Sequence, residues 1–530
     1  MLHNILVFVE TAFFLYISFL AGATFLPRLG VKAVSGIVVA VQAVLLGLGI
    51  FALAGLVFGL LGIFNTITLW AFAFVLLLGA RKHIQAHFLL LTKENARRVL
   101  RAFLGLFKEN AFLKILIAVW LIANFSLAFV PLTAHDTLDY HLPIVLDIME
   151  KGRTDFTSAI EHYSFTPVLA EILYAVPAVL FKEKTAPFVF QPLQYMTLPL
   201  FLALAYGFLR NKLKRRWLAL AALLAILGMM VLQREVLHMG YVDTFAFVYG
   251  FAALFPILEY ALQPNGNAKP HFSELMFSAV MLGISLGMKY FGFFFGAFAL
   301  VFLTIAFRRF NITAREAWRI LFIFCAIVAA ISVFWYAKNW LWFDNPLYPM
   351  FSSDPAIAIT KQGIESFLLD RTFLNFFVFP FALFGQWFLN PAVESSSNLV
   401  VFAYFALLYL LVALRLFTRE KFTRAEVLLF VFVQGYLVFH FVLSHYLRYL
   451  LPSAMILPVL LALLADELFS AAKRALSVQR FSIFHKTAQV IVALAILVVF
   501  AGNFHYFQIR FSYILGIYDK QEYVRKIGSQ

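Results

Sequence analysis

The sequence predicts an all-α polytopic membrane protein, and three observations support this. Of its 530 residues, 63% are hydrophobic and 13% are charged, whereas soluble domains have roughly 45–50% apolar and about 25% charged residues. The apolar residues fall in repeated runs of about 20, the length that a helix needs to cross a bilayer. The sequence shows no short alternating segments typical of transmembrane β-strands, and no stretch polar enough to cover a soluble core.

Apolar windows bounded by charged or turn residues predict a bundle of about 11–14 transmembrane helices. Residues 167–181 are short for a span and contain Pro177, so they are predicted either as an interfacial helix or as the start of the next span. The apolar segment 373–389 is interrupted by Pro380, which favours external helices resting on the membrane. The windows are 5–26, 33–61, 64–80, 113–131, 186–209, 217–233, 244–262, 273–290, 291–307, 318–337, 397–414, 426–443, 449–468 and 488–505.

The charges between the windows indicate which loops face the cytoplasm. Of the 42 Lys and Arg residues, 27 fall in alternate segments, and cytoplasmic loops are enriched in these residues. The remaining segments hold more Asp and Glu than Lys and Arg and are predicted to be external. This distribution accounts for the net charge of +15 without a nucleic-acid partner. The basic segments are 27–32, 81–112, 210–216, 263–272, 308–319, 415–425 and 469–487.

We divide the chain into three parts on this basis. Residues 1–112 hold additional N-terminal membrane helices and a basic cytoplasmic loop. Residues 113–470 form the main membrane core, with the first large external loop at 132–166. Residues 471–530 hold a second basic cytoplasmic loop, the last membrane helix and a short external tail.

The first external loop carries the densest group of ionisable residues in the chain. Asp136 and Asp139 lie three residues apart, so one helical turn would place them on the same face, and Tyr140 and His141 follow directly. Crowded carboxylates are candidates for general-base catalysis. The alternative is a hydrated anionic loop without a catalytic role.

Other polar residues stand at the predicted external ends of the helices. Asp243 begins an apolar helix, where it is either a helix N-cap or a functional carboxylate. Lys289 lies between two apolar helices, where a lysine either binds an anion or extends to the interface. Lys338 is interleaved with the aromatic residues of 334–351, which form either an interfacial belt or a surface for a sugar or a lipid phosphate.

A further helix end, residues 445–452, carries His445 and Arg448. A guanidinium at this position is suited to bidentate binding of a phosphate. The sequence alone does not place these two residues beside the first external loop.

Taken in order, these stretches resemble the GT-C superfamily of polytopic glycosyltransferases, in particular the bacterial relatives of aminoarabinose lipid A transferase and of protein O-mannosyltransferases. The resemblance covers residues 115–470, and Thr137 stands where an acidic residue often follows the first Asp. The matching motifs are Asp136-Thr137-Leu138-Asp139-Tyr140, Lys151-Gly152-Arg153, Thr166-Pro167-Val168-Leu169, GYVD (240–243), GMKY (287–290), KNWLWFDNPLYP (338–349) and RYLLP (448–452).

The resemblance implies an inverting glycosyltransferase in the membrane, with its active site on the extracytoplasmic face. The donor would be a sugar on a polyprenyl phosphate, and the acceptor a lipid, glycan or protein of the cell envelope. Asp136 would be the general base and Asp139 a supporting catalytic residue. The other implied site residues are Lys289, Arg448 and Lys338 for the lipid phosphate, Asp243 and Glu171 for sugar hydroxyls, acceptor orientation or a divalent cation, and Tyr140, His141 and His445 for substrate contacts.

Two other functions stay open at this point. A lipid-linked polysaccharide polymerase or ligase is also multi-spanning, but it is expected to use external arginines, whereas the largest acidic cluster here is in an external loop. A flippase or transporter is expected to place charges near the middle of the membrane. A nucleotide-sugar donor is disfavoured because the chain has no G-x-G-x-x-G and no P-loop motif.

Overall fold

The computed structural model describes residues 2–31, 36–84, 110–154, 165–182, 190–229, 232, 240–263, 273–351, 372, 375, 395–443, 447–502 and 504–528, and no strand occurs among them. The α-helices are α1 (Leu2–Phe25), α2 (Gly36–Leu60), α3 (Thr66–Gly79), α4 (Ala111–Ser126), α5 (Leu142–Lys151), α6 (Leu169–Leu180), α7 (Phe190–Tyr195), α8 (Thr197–Arg210), α9 (Arg216–Leu227), α10 (Asp243–Leu262), α11 (Ser273–Met288), α12 (Gly292–Arg309), α13 (Ala314–Phe343), α14 (Ser395–Phe417), α15 (Arg424–Leu443), α16 (Leu451–Ala475), α17 (Val478–Gly502), α18 (Phe504–Ile514) and α19 (Lys520–Gly528).

The described residues include 11 helices that are long and apolar enough to cross a membrane. This confirms the predicted fold class of an all-α polytopic membrane protein. Helices are favoured because the bilayer offers no hydrogen-bond partners, and a helix pairs its backbone N–H and C=O groups internally. Four shorter apolar helices accompany the 11 candidates, among them α3 and α6.

Several helices extend beyond the apolar windows that predicted them. The window 318–337 lies inside α13, which has 30 residues. Similarly, α17 begins ten residues before the window 488–505, and only two residues separate it from the end of α16. The basic segment 469–487 is therefore mostly helical. Hydropathy detects only the part of a helix that lies in lipid, whereas backbone hydrogen bonding continues into polar flanks.

The segment 167–181 contains a separate short helix, α6, in which almost every residue is buried. It packs against other helices, including α2, α3 and α11. The interpretation as the start of the next span is wrong because α6 ends in a turn after Leu180, and the interfacial position stays a prediction. The external helices predicted at 373–389 lie outside the described residues, apart from Asn375.

Two compact units divide the chain, and both are discontinuous in sequence. Unit 1 comprises Met1–Leu106, Pro131–Leu204 and Leu237–Ala358. Unit 2 comprises Phe107–Val130, Ala205–Val236 and Ile359–Gln530. The predicted division cut the chain at residues 112 and 470 into three continuous parts, whereas each of these units combines separate stretches of the chain that pack together.

In unit 1, the N-terminal helices pack closely because small residues stand where they meet. A Cβ atom on Gly22 of α1 would lie 1.8 Å from the carbonyl oxygen of Ala43, so the two backbones are in direct contact. Helix α2 also packs on α6, and the carbonyl of Gly59 in its last turn accepts a hydrogen bond from the N–H of Thr154, three residues after α5, at 3.1 Å. The first three helices are therefore part of the same packed unit as the segment that holds Asp136 and α5.

The helices α10 to α13 run up and down within unit 1. Ser285 of α11 donates a hydrogen bond to the carbonyl of Ala246 of α10 at 2.8 Å. Short connections join α11 to α12 and α12 to α13. Consequently the start of α10, the turn between α11 and α12, and the end of α13 meet at one end of the unit.

Unit 2 is held by polar bonds as well as by apolar packing. Trp120 of α4 donates to the carbonyl of Leu227 at the end of α9 at 3.0 Å. Its ring stacks on Phe500 of α17 at 3.9 Å between centroids. At the start of α15, Glu426 forms a buried ion pair with Arg415 of α14 at 3.1 Å.

Candidate functional site

The segment predicted to be the first external loop contains a π-helical turn, Thr137–His141, which leads directly into α5. This wider turn places Asp136 and Tyr140 on one face, where the Tyr140 hydroxyl donates to Asp136 Oδ2 at 3.4 Å. Pro143 follows within the first turn of α5, a position that tolerates the missing N–H of proline. Single π turns are frequent at functional sites.

The two aspartates of this loop lie in different surroundings. Asp136 is half-buried, whereas Asp139 is exposed and forms an ion pair with His135, which is more exposed still. The predicted pair of neighbouring carboxylates is therefore split between an inner and an outer residue.

His141, at the end of the π turn, binds Glu171 of α6. The distance from His141 Nδ1 to Glu171 Oε1 is 2.7 Å, and the two residues are 1% and 2% exposed. Burial lowers the pKa of His141, and the nearby Lys289 charge lowers it further, against the opposing effects of Glu171 and Asp243. The imidazole is therefore neutral near pH 7, with Nδ1–H donating to the carboxylate and Nε2 as an acceptor.

This pair leaves two polar atoms without hydrogen bonds in the described part of the chain. They are His141 Nε2 and Glu171 Oε2. A buried polar atom without a partner costs about 1–3 kcal/mol. Such atoms therefore point to a ligand, a water or a mechanistic role.

Asp243 and Lys289 form a second pair in the same unit. Asp243 Oδ1 lies 3.0 Å from Lys289 Nζ; the Asp243 side chain is 1% exposed and that of Lys289 18%. Asp243 is the first residue of α10, where the helix dipole favours a carboxylate. The N-cap is Val242, so the interpretation of Asp243 as an N-cap is wrong.

The segment before Asp243 is held by side chains that sequence reasoning missed. Gln194 accepts a hydrogen bond from the Gly240 N–H at 2.8 Å and donates to the carbonyl of Tyr241 at 2.7 Å. The Tyr174 hydroxyl donates to the same carbonyl at 3.1 Å. Gly240 has φ +75, and a Cβ there would lie 2.8 Å from the Thr137 side chain. The GYVD and DTLDY motifs thus pack on each other.

Helix α11 approaches α6 through another glycine. A Cβ on Gly287 would lie 3.0 Å from Leu169 and 3.3 Å from the indole nitrogen of Trp335. Leu169 and Gly287 each stand two residues before an ionisable residue, Glu171 and Lys289 respectively. The close packing therefore brings the two pairs together, in agreement with the electrostatic effect of Lys289 and Asp243 on His141.

We refer to His141, Glu171, Asp243 and Lys289 as the polar cluster. Its members are separated by 30 or more residues along the chain. They come from the π turn, α6, the start of α10 and the turn after α11.

Lys338, near the end of α13, lies among aromatic rings. Its Nζ is between 5.4 and 5.7 Å from the ring centroids of Phe165, Trp335 and Trp342. It also donates to the carbonyl of Phe165 at 3.3 Å and is buried. These contacts stabilise the ammonium through the negative ring faces and tie α13 to the segment that precedes α6.

The loop after α13 is bonded to the turn that carries Lys289. The Asn339 amide lies 3.1 Å from both the Tyr290 hydroxyl and the carbonyl of Tyr348. The Tyr290 hydroxyl donates to the same carbonyl. The GMKY motif and the KNWLWFDNPLYP motif therefore form one bonded structure.

The two candidates near residue 448 belong to unit 2. Arg448 lies in a 3-10 turn, Leu447–Leu450, and donates to the Tyr449 hydroxyl at 3.1 Å. His445 lies outside the described residues. The predicted roles of both residues stay predictions.

No group of three or more His, Cys, Asp or Glu side chains among the described residues is arranged as a metal site. The proposal that Asp243 and Glu171 ligate a divalent cation therefore has no described third protein ligand. Both carboxylates are instead paired with a basic side chain.

Comparison with family models, with curated proteins and with solved structures gives no match. The interpretation of the polar cluster therefore depends on its own geometry. In that geometry His141 is bonded to the buried Glu171, and Lys289 is paired with Asp243. The half-buried Asp136 lies five residues before His141.

Proposed function

We propose that this chain is an integral membrane glycosyltransferase that moves a sugar from a polyprenyl-phosphate donor to a hydroxyl group of a cell-envelope acceptor. The observation that carries the proposal is the polar cluster. Ionisable residues inside an apolar helical bundle are costly and are retained mainly for function. Here Asp243 and Lys289 belong to two of the motifs on which the resemblance to GT-C transferases depends, and His141 and Glu171 lie just after two others.

Asp136 is the general base of the proposed reaction. Its carboxylate takes the proton of the acceptor hydroxyl while the acceptor oxygen bonds to the anomeric carbon of the sugar. The bond from that carbon to the phosphate oxygen breaks, and the lipid phosphate leaves with the electron pair. Asp136 suits this role because it is half-buried and is oriented by the Tyr140 hydroxyl. General-base catalysis contributes about 10²–10⁴-fold.

Lys289 stabilises the charge that develops on the leaving phosphate. An ammonium has three N–H donors, so it can bind Asp243 and a phosphate oxygen together. Asp243 holds the ammonium in place before the reaction, and a pre-placed charge lowers the barrier without reorganisation in the transition state.

The His141–Glu171 pair acts on the reaction by positioning the loop. Its hydrogen bond joins the π turn to α6, and Asp136 precedes that turn directly. The pair is more deeply buried than Asp136. We therefore assign contact with the acceptor to Asp136 and orientation to His141 and Glu171.

A donor anchored in the bilayer fits a site built at helix ends. The polar cluster lies where α10 begins and α11 ends, so a lipid phosphate can reach it from the membrane while its tail remains in lipid. We place this end on the extracytoplasmic side because the basic segments are concentrated in the alternate loops.

The test uses purified protein in liposomes with a radiolabelled sugar supplied either as the polyprenyl phosphate or as the nucleotide sugar. The acceptors are envelope lipid, glycan and protein fractions from cells lacking the chain. We expect transfer from the lipid donor only, and loss of transfer with Asp136→Asn. Transfer from the nucleotide sugar without a lipid carrier would contradict the proposal.

A further inference from the structure

A cavity in unit 2 lies at the ends of α9, α16 and α17. Its volume is about 720 Å³, and its lining is rich in basic side chains. We call it the basic cavity. Among the described residues its lining includes Lys214, Arg215, Ser470, Lys473, Arg474 and His485, and no carboxylate.

Two carboxylates that do not line the basic cavity form ion pairs with cations that do line it. Asp466 binds Arg215 at 2.8 Å, and Glu467 binds Lys214 at 2.9 Å. Ser470, which lines the cavity, accepts hydrogen bonds from both cations. These bonds hold the Lys214 and Arg215 side chains in defined positions. The cavity is therefore not formed by unconstrained surface side chains.

The lining keeps a surplus of positive charge after these pairs are counted. Arg474 binds Glu420 at 2.6 Å. Four Lys and Arg side chains thus face the cavity against three neighbouring carboxylates, and Lys473 is exposed. Besides the apolar Val478 and Phe481, the described lining consists of Lys, Arg, Ser and His side chains, which can all donate hydrogen bonds to an anion.

An apolar groove of about 300 Å³ runs along the same three helices and α14. Many of its lining residues are alanines, so the helices leave space between them. The lining includes Leu218, Ala221, Ala222, Ala465, Val492 and Ile496.

The groove continues from the basic cavity towards the middle of each helix. Leu218 follows Arg215 by three residues on α9, Ala465 precedes Ser470 by five on α16, and Val492 follows His485 by seven on α17. At about 1.5 Å of rise per residue, these steps are roughly 5–10 Å along the helix axes. The polar and apolar parts are therefore adjacent on all three helices.

We propose that the basic cavity and the apolar groove together bind one anionic phospholipid. The head-group phosphate lies in the basic cavity and one acyl chain lies in the groove. Basic pockets between membrane helices on the cytoplasmic side suit anionic head groups. The cavity is lined by the predicted cytoplasmic segments 210–216 and 469–487, which places the lipid in the cytoplasmic leaflet. This site is independent of the proposed transferase activity.

A soluble anion would use only the basic cavity, whereas a phospholipid uses both parts. A substitution in the groove therefore distinguishes a soluble phosphate from the phosphate of a phospholipid. Ala465→Leu fills part of the groove without altering any charge. Lys473→Glu reverses an exposed charge of the cavity, and Arg480→Glu is its matched control because Arg480 is exposed at the same end but does not line the cavity.

The experiment measures phosphatidylglycerol and phosphatidylcholine bound to the purified full-length protein by native mass spectrometry, with inorganic phosphate as a competitor. We expect preferential retention of phosphatidylglycerol and a roughly fivefold to tenfold loss with Lys473→Glu. Ala465→Leu should also weaken retention, while Arg480→Glu should not. Equal retention of both lipids by the unchanged protein overturns the proposal. Inorganic phosphate displacing the lipid at equal concentration, with no effect of Ala465→Leu, also overturns it.

Discussion

Unit 1 and unit 2 each contain a buried glutamate that is bonded to a basic side chain, His141 in unit 1 and Arg415 in unit 2. The two pairs differ in how many oxygens of the carboxylate form hydrogen bonds. In unit 2, Glu426 binds Arg415 through Oε1, and its Oε2 accepts from the Thr423 N–H. In unit 1, Glu171 binds His141 through Oε1 only, and its Oε2 has no hydrogen-bond partner in the described part of the chain. Both glutamates are at most 2% exposed.

From this difference we assign the Arg415–Glu426 pair to the stability of the fold and the His141–Glu171 pair to the proposed site. The Arg415–Glu426 pair joins the end of α14 to the start of α15 and uses both carboxylate oxygens for that purpose. The His141–Glu171 pair retains an unused acceptor on each partner, beside the Asp243–Lys289 pair. We therefore expect mutations in unit 1 to act on activity and mutations in the unit 2 pair to act on stability.

The largest effect is expected at Asp136. Asp136→Asn removes the group that accepts the proton, so the transfer rate should fall by about 10²–10⁴-fold while the melting temperature stays unchanged. Sugar transfer from the lipid donor and thermal unfolding in detergent measure the two quantities. Asp139→Asn is the variant for comparison and should lose less activity, because Asp139 has a supporting role, is exposed and lies on the same loop. If Asp139→Asn loses more activity than Asp136→Asn, the assignment within the motif is reversed.

The next largest effect should be on stability, at Glu426. Glu426→Gln leaves Arg415 buried without a counter-charge, and breaking a buried pair in this way costs about 3–5 kcal/mol. We expect a lower unfolding temperature and an unchanged turnover rate per folded molecule. Glu420→Gln is the control, since Glu420 pairs with an exposed arginine nearby. A specific loss of turnover without destabilisation would assign the unit 2 pair to a functional site.

Glu171 should have an intermediate effect on activity. Glu171→Ala removes the acceptor that orients His141, and a misplacement of about 1 Å in an active site costs up to about 10²-fold in rate. Glu171→Gln should recover most of the activity because an amide oxygen also accepts from Nδ1–H. Transfer kinetics for the two variants provide the measurement. Equal losses in both would indicate that the negative charge, and not the orientation of His141, is required.

The smallest effect is a pH dependence of stability at His141. Burial lowers the pKa of His141 in the folded state below the ordinary value of 6.5. Below pH 6.5 the unfolded state therefore binds more protons than the folded state does. The free energy of unfolding should fall as the pH decreases towards the folded-state pKa, by at most about 1.4 kcal/mol per pH unit. Above pH 6.5 this contribution should be constant.

Thermal unfolding in detergent at pH 7.5 and pH 5.5 tests this expectation. His141→Gln should reduce the difference between the two conditions. An unchanged difference in His141→Gln would show that other groups cause the acid sensitivity.

The sequence predicted the surroundings of the site better than its contacts. Asp243 and Lys289 were selected from their positions at the ends of apolar helices and Glu171 from the resemblance, and the structure brings them together with His141 in unit 1. Their pairing was not predictable because Glu171 lies 30 residues from His141, and loop conformation decides whether they meet. Gln194 and Tyr174 were missed because one glutamine or tyrosine in an apolar helix resembles a core residue.

The sequence by itself determined the fold class of this protein. Repeated apolar runs require a membrane, and the membrane requires helices that satisfy their own hydrogen bonds. Only the tertiary structure decided that the N-terminal helices belong with the site, since contacts such as Gly59 with Thr154 depend on close approach at small residues. It also decided that His141 is neutral and that Asp136 and Asp139 have different surroundings. Burial and pairing arise from neighbours that are distant in sequence, and hydropathy does not encode those neighbours.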